Sequence, residues 1–538
     1  MYYFRSKIVF FQVNIYFSVR FIFEVEIYIM EKNRKDKKRK KIKSVKGYIK
    51  EYCNHTSIHG FKYLVEERTI IERIWWVIFI FISICLCGTM IYQIIYKYIN
   101  YPLIVTFSMK ETQLQKLPFP AITVCPRAKI SQSYLNFTEY FQRKYNQLPV
   151  SIDEEKKVNL ASTICDFYPN NSTDVADDND FYDFLLKSRV DIFYYCQYQG
   201  IEINCTQLFT PILTEEGICY SFNILDRNDI FRNITDNPLK DFHKSPKTEN
   251  WNMENGYSTK AVKTYPQRAL RTGAKNALYL IFKVHISNKE FECAQDESGY
   301  RVTVHSPSNL PDVADNHISV PLSNRVLAVI TPRIIQTSSS VRRFQVTARD
   351  CYFESEKKLK FFHKYSQQNC LLECKSNYTL IQCGCVGIHM PKEQGTPLCL
   401  LQEQYCIERA EDLFSLNNED LEVTEGLHKQ TGCNCKPACN EITYDSELSY
   451  NTAFFDIMNK SLKAELDFEH HQYSTLLLYF KKSNVETKER RELYGFSDLI
   501  SNFGGLIGLF TGFSILSLIE MIYFLTLRPL GDLFGTLK

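Results

Sequence analysis

Glu520 is the only formally charged side chain in the stretch 499–527, LISNFGGLIGLFTGFSILSLIEMIYFLTL, which is long enough to cross a bilayer. The same stretch carries Ser501, Asn502, Gly504, Gly505, Gly508, Thr511, Gly512, Ser514 and Ser517. Small residues let helices approach closely, and an ionisable group at membrane depth is costly unless it serves a pathway or a buried pairing. The chemistry these residue types suit is the passage of ions. At about 100° per residue, Ser501, Gly504, Gly505, Gly508, Thr511 and Gly512 share one side of a helix, and Ser514, Ser517 and Glu520 the other. One straight helix cannot turn both sets toward a single pore. A break at Gly512-Phe513-Ser514 can, and it would free backbone carbonyls to line a constriction, tolerable only where they face water or protein. The competing reading is a Gly-rich helix packed on a neighbour, with Glu520 paired to a base.

Other chemistry is poorly supported. Gly512-Phe513-Ser514-Ile515-Leu516 lacks the second glycine of a nucleophile elbow, and no HExxH, Gly-rich phosphate loop, haem or zinc signature occurs. The expectation is therefore no enzyme, no cofactor and no metal, with sodium only as a permeant ion once the resemblance below is considered. Asp467 and His471 stand four apart and would share a helix face, but a solvated charged face accounts for them better than a ligand pair. Close pairs such as Cys370/Cys374, Cys383/Cys385 and Cys433/Cys435 could hold zinc, yet their compartment favours disulfides.

The elements that would position such a pore follow from composition. The chain has 538 residues, 45% of them hydrophobic, and a net charge of +3, which suits a large folded core rather than disorder. Residues 31–50 hold eleven Lys or Arg against two acids. Immediately before a membrane span, this run reads as a cytoplasmic flank obeying the positive-inside rule, not as a nucleic-acid patch. Residues 1–30 read as a non-spanning extension. The layout expected is a cytoplasmic region 1–73, a first transmembrane helix 74–99 edged by Trp75-Trp76 and by Tyr92, Tyr96 and Tyr98, an extracellular domain 100–498, a second span 499–527 and a short cytoplasmic tail 528–538. This is an α+β membrane protein of the plasma membrane, its two transmembrane helices flanking a large disulfide-rich α+β extracellular domain.

Of 19 cysteines, sixteen fall between the first span and the second: Cys125, Cys165, Cys196, Cys205, Cys219, Cys293, Cys351, Cys370, Cys374, Cys383, Cys385, Cys399, Cys406, Cys433, Cys435 and Cys439. An even number beyond the membrane reads as a framework of up to eight bridges. Sequons at Asn136, Asn170, Asn171, Asn204, Asn233, Asn377 and Asn459 fit a glycosylated extracellular surface. LYLIFKVHIS (278–287), YRVTVHS (300–306) and NHISVPLSNRVLAVITPRII (316–335) read as strands, the last broken at its prolines. DVADDND (174–180) reads as an exposed acidic loop, and 351–439 as helices stapled by cysteines.

Taken in order, His59-Gly60, FPAITVC (119–125), GYRVTVHSP (299–307), the ladder NCLLEC…CGC…C…C…CNCKPAC (369–439) and GLFTGFSILSLIE (508–520) resemble the degenerin/epithelial sodium channel family, and specifically its insect pickpocket-type branch. The resemblance spans roughly residues 55 to 530. It implies a homo- or heterotrimer with related subunits whose second spans surround an amiloride-sensitive, sodium-selective pore, gated by an extracellular ligand or a mechanical stimulus. It implies a selectivity filter at Gly512, Phe513 and Ser514, a gating (degenerin) position at Ser501 and a blocker position at Gly508. It further implies a gating motif at His59 and Gly60 and an intramembrane acid at Glu520. Phe513 is bulkier than the small residue common mid-filter, and Lys436 replaces an apolar residue. The rival reading is a two-pass receptor or adhesion glycoprotein without conduction, which leaves the polar second span unexplained.

Overall fold

Alternation of apolar and polar side chains along 278–285 and 324–337 dictates strands that lay one face on a core. The computed structural model describes residues 45–66, 68–165, 177–236, 238–248, 251–254, 256–258, 264–286, 293, 298–418, 433–452 and 467–536. The chain divides into two units, Pro102–Leu493 and the pair Met1–Tyr101 with Tyr494–Lys538.

In the first unit the larger sheet runs, edge to edge, Leu103–Phe107, Thr487–Glu492, Asn324–Thr337, His471–Phe480, Leu278–His285, Phe193–Tyr198 and Ile201–Glu202, with Glu441–Thr452 also pairing Asn324–Thr337. The smaller sheet is Ile318–Val320, Tyr300–His305, Ala121–Pro126, Gly217–Phe222 and Phe209–Thr214. One core joins them. Leu278, Leu280 and Phe282 of the larger sheet, with Val326, Ala328 and Ile330, meet Ile122, Val124, Phe222 and Val302 of the smaller. The Phe282 ring stacks on Tyr300 at 4.5 Å.

The strand expectations stand for 278–285 and 300–305, and Pro321 does separate Ile318–Val320 from Asn324–Thr337. Pro332, however, breaks nothing. It lies inside the second of these strands, opposite Tyr444. On the other edge that strand pairs with His471–Phe480 through Ile330 and with Thr487–Glu492 from Ile334 onward. Pro332 falls in the interval between the two partners, so its missing N–H costs that edge no ladder bond.

The last three residues of the acidic stretch 174–180 are helix, not loop. Asp178 to Asp180 open the helix Asp178–Ser188, where carboxylates favour the N-terminal dipole. Asp178 pairs with Lys392 at 2.8 Å and accepts the Leu398 N–H. A second core gathers around Phe137, Tyr140, Phe181 and Phe184. Helices Gln367–Cys383 and Gln404–Asn418 form the stapled region, packed through Tyr378, Ala410 and Phe414.

Eight disulfides use all sixteen cysteines between Cys125 and Cys439: 125–219, 165–293, 196–205, 351–439, 370–435, 374–433, 383–406 and 385–399. Members of each close pair go to different partners, which removes the zinc alternative. Asn204, Asn233 and Asn377 are exposed, whereas half-buried Asn136 caps the helix Phe137–Tyr145. Asn170, Asn171 and Asn459 lie outside the described residues. Asp467 and His471 do not share a helix; a turn joins them, and the Asp467 carboxylate lies 3.1 Å from His470 and 3.5 Å from His471.

The smaller sheet is pinned by a buried carboxylate. Glu216 meets Lys129 at 2.8 Å, Arg127 at 2.9 Å and Arg301 at 2.6 Å. Burial pushes its carboxyl up, but the three cations outweigh burial and hold it below the usual range.

His243 and His305 give the unit a pH dependence. Burial pushes both imidazoles down to about 4, with Arg227 assisting at His243, against about 6.5 when unfolded. Below that value the unfolded chain binds protons that the folded chain refuses. Their contribution to stability is therefore full above pH ~6.5 and lost as pH falls toward ~4. This unit should melt at lower temperature at about pH 5 than at about pH 7, and a His243→Gln/His305→Gln variant should show a flatter dependence. Melting curves across this range, read by circular dichroism, check it.

Candidate functional site

Among the described residues the second unit contains one helix long and apolar enough to cross a membrane, Ile70–Asn100. A second apolar stretch, Phe496–Thr511 followed by Ile515–Gly531, meets the same criterion only as a pair, bent by 69° at its break.

Local sequence causes that break. Gly512 adopts φ 70°, a left-handed C-cap that a side chain resists, and its N–H bonds the Gly508 carbonyl at 2.9 Å. Two residues on, Ser514 is extended, and its hydroxyl accepts the Ser517 N–H at 3.3 Å, starting the helix Ile515–Leu525. Glycine stops one helix and serine starts the next, with Phe513 between them.

A helix end inside an apolar segment leaves carbonyls that lipid cannot satisfy. Two of them find donors within this unit. The His59 N–H bonds the Thr511 carbonyl at 2.9 Å. The Ser83 hydroxyl, from helix Ile70–Asn100, donates to the Phe510 carbonyl at 2.6 Å. Both of these carbonyls are therefore engaged, contrary to the expectation that the break frees its carbonyls to face a constriction.

His59 sits against the break itself. A Cβ placed on Gly512 would lie 2.7 Å from His59 Nδ1 and 2.9 Å from its ring carbon. Gly60 follows with φ 87°, and a Cβ there would meet Ile80 at 2.9 Å. The His-Gly pair is thus a tight turn pressed between the first apolar helix and the break. Around it, Tyr63 stacks on Trp76 at 4.4 Å, Tyr52 meets Phe524 at 5.7 Å, and Glu51 pairs with Arg528 at 2.9 Å.

Glu520 is not paired to a base among the described residues. Its carboxylate accepts from the Ser57 N–H at 3.3 Å and the Ser57 hydroxyl at 3.4 Å. The Ser57 oxygen also lies 2.7 Å from that of Ser517, which is fully buried.

The structure therefore brings together His59, Gly60, Gly512, Phe513, Ser514 and Glu520. Ser501 stands apart from this cluster along Phe496–Thr511 and is exposed, whereas Gly508 adjoins it through the bond from the Gly512 N–H to its carbonyl. No cluster of three or more metal-ligating side chains occurs among the described residues. Ser57 and Ser83 were not singled out by sequence reasoning. The available signal was a hydroxyl in an apolar helix, and another two residues before His59.

Comparison with known proteins adds the following. The model of the family described as amiloride-sensitive sodium channel matches residues 52–524. Pickpocket protein 28 of Drosophila melanogaster is 27% identical over 504 residues, covering 90% of this chain and 79% of its own. Sodium channel protein Nach of Drosophila melanogaster is 23% identical over 508 residues, covering 89% and 87%. The bile acid-sensitive ion channel of Homo sapiens is 23% identical over 496 residues, covering 89% and 86%.

Gly512→Ala should be penalised twice, by about 1–2 kcal/mol for the left-handed backbone and further by collision with His59. Adding His59→Ala should relieve the collision and not the backbone strain. Thermal unfolding of the purified chain should therefore show partial recovery in the double variant; full recovery or none would show that only one of the two costs operates.

Proposed function

We propose, for a chain that belongs to the amiloride-sensitive sodium channel family, that it is a pore-forming subunit of a sodium-selective, amiloride-blocked channel. The observation that carries this reading is the helix break at Gly512–Ser514 with the His59 turn seated against it. A plain anchor has no need of a broken helix whose carbonyls are capped by a distant segment of the same chain.

In this reading the chain crosses the plasma membrane twice, once through Ile70–Asn100 and once through the bent pair, with both ends cytoplasmic and the disulfide-bonded domain outside. Gly512, Phe513 and Ser514 form the selectivity filter. The glycine lets the backbone turn there, and the serine offers a hydroxyl to a partly dehydrated cation. Glu520 supplies the intramembrane negative charge that makes cation entry favourable. His59 and Gly60 couple the cytoplasmic segment to the filter, and Gly508 lines the path of the blocker. Polar faces on such spans need neighbours, and a closed ring of three subunits, identical or related, covers them. An extracellular ligand or mechanical force opens the pore.

Ser501 gates the outer entrance. Three copies meeting near the axis would leave room for serine and not for a bulkier side chain. Overpacking a tight site costs about 1–3 kcal/mol, and a cost borne by the closed state alone shifts the closed-to-open ratio roughly tenfold or more.

Voltage clamp of cells expressing the chain, alone and with related subunits, tests the reading: current should fall on sodium replacement and with amiloride. Ser514→Cys should change the sodium-to-potassium permeability ratio and add block by thiol reagents, and an unchanged ratio and block would reject the filter assignment. Ser501→Phe should give standing current without stimulus; equal resting currents at matched surface expression would reject the gating role. Bleaching of tagged complexes should proceed mainly in three steps.

A further inference from the structure

Ser57 lies outside every assigned role, yet three hydrogen bonds join it to Ser517 and Glu520. We propose that Ser57 is a positioning residue for permeation, orienting the Glu520 carboxylate and tying it to the serine turn that restarts the broken helix. The proposal rests on the pore reading above.

The hydrogen bonds form a directional chain. The Ser514 N–H donates to the Ser517 oxygen at 3.1 Å. The Ser517 side chain is fully buried, and its proton must go to an acceptor. The Ser57 oxygen, 2.7 Å away, is nearer to it than the Ser514 oxygen at 3.2 Å. The Ser57 hydroxyl is then free to donate to Glu520 Oε2 at 3.4 Å, beside its own N–H at 3.3 Å. Both donors reach the same carboxylate oxygen, which leaves Oε1 as the oxygen able to meet a cation. Without them the carboxylate loses its fixed direction.

The charge matters because it is alone. Glu520 is the only formal charge in 499–527, so its direction sets the local field that a dehydrating ion meets. Backbone position also enters. The Ser57 and His59 backbone N–H groups bind on either side of the break, at Glu520 and at the Thr511 carbonyl. Ser57 therefore holds the segment that carries His59 against Gly512.

The role differs from simple packing in what it moves. Ser57→Ala should lower the sodium-to-potassium permeability ratio about three- to fivefold, the worth of one ordinary hydrogen bond, since 3.4 Å is long for a charge-assisted one. Ser57→Thr, which keeps the hydroxyl, should restore it. In a Glu520→Gln background Ser57→Ala should change the ratio no further. The contact itself is tested without current, by oxidising a Ser57→Cys/Ser517→Cys chain lacking Cys53, Cys85 and Cys87 and finding the linked peptide by mass spectrometry. A missing link overturns the geometry. A ratio unchanged by Ser57→Ala, or shifted equally with and without Glu520, overturns the positioning role. A chain that forms the link but carries no current with any related subunit overturns the channel reading, and leaves Ser57 only a structural tie.

Discussion

A backbone carbonyl that cannot reach water needs a donor from the protein itself. The break in the second apolar stretch creates that need at Phe510 and Thr511, and two remote segments meet it, one through the Ser83 hydroxyl and one through the His59 N–H. This requirement fixes more than two hydrogen bonds. It draws residues 57–60 against the break, makes glycine obligatory at 512 and at 60, and sets Ser57 beside Glu520. Removing the break would leave the His-Gly turn without a place to bind.

The unit Pro102–Leu493 answers a different constraint. Two sheets share one core, and the long strand Asn324–Thr337 holds three neighbours by changing partner midway along one edge. Parallel and antiparallel pairings in one strand demand long connections, and disulfides fix several of them. The buried Glu216 with its three cations does the same work electrostatically at the end of the smaller sheet.

Much of this was legible in the chain. The phase conflict between the glycines of 504–512 and the set Ser514, Ser517 and Glu520 points to a break, and Gly-x-Ser carries both a stop and a start signal. Alternation locates the main strands, and an even cysteine count gives the number of bridges but not their pairing. What stayed hidden depends on contacts far apart in sequence. Pro332 looks like a strand breaker until the partner change beside it is seen. Asp178 looks like loop until Lys392, 214 residues away, supplies its cation. Ser83 and Ser57 act on residues 427 and 460 positions distant, and a hydroxyl in an apolar helix or beside His59 does not by itself name that partner.

Sulfur divides the molecule. Cys53, Cys85 and Cys87 are thiols, while every cysteine from 125 to 439 is oxidised. Three of the bridges, 351–439, 370–435 and 374–433, join the chain before Asn418 to the chain after it. A protease cut anywhere between Asn418 and Cys433 would thus yield two pieces that travel as one on a denaturing gel until reductant is added. Nicking of this stretch, by a cell or by a purification, is hidden on a gel run without reductant.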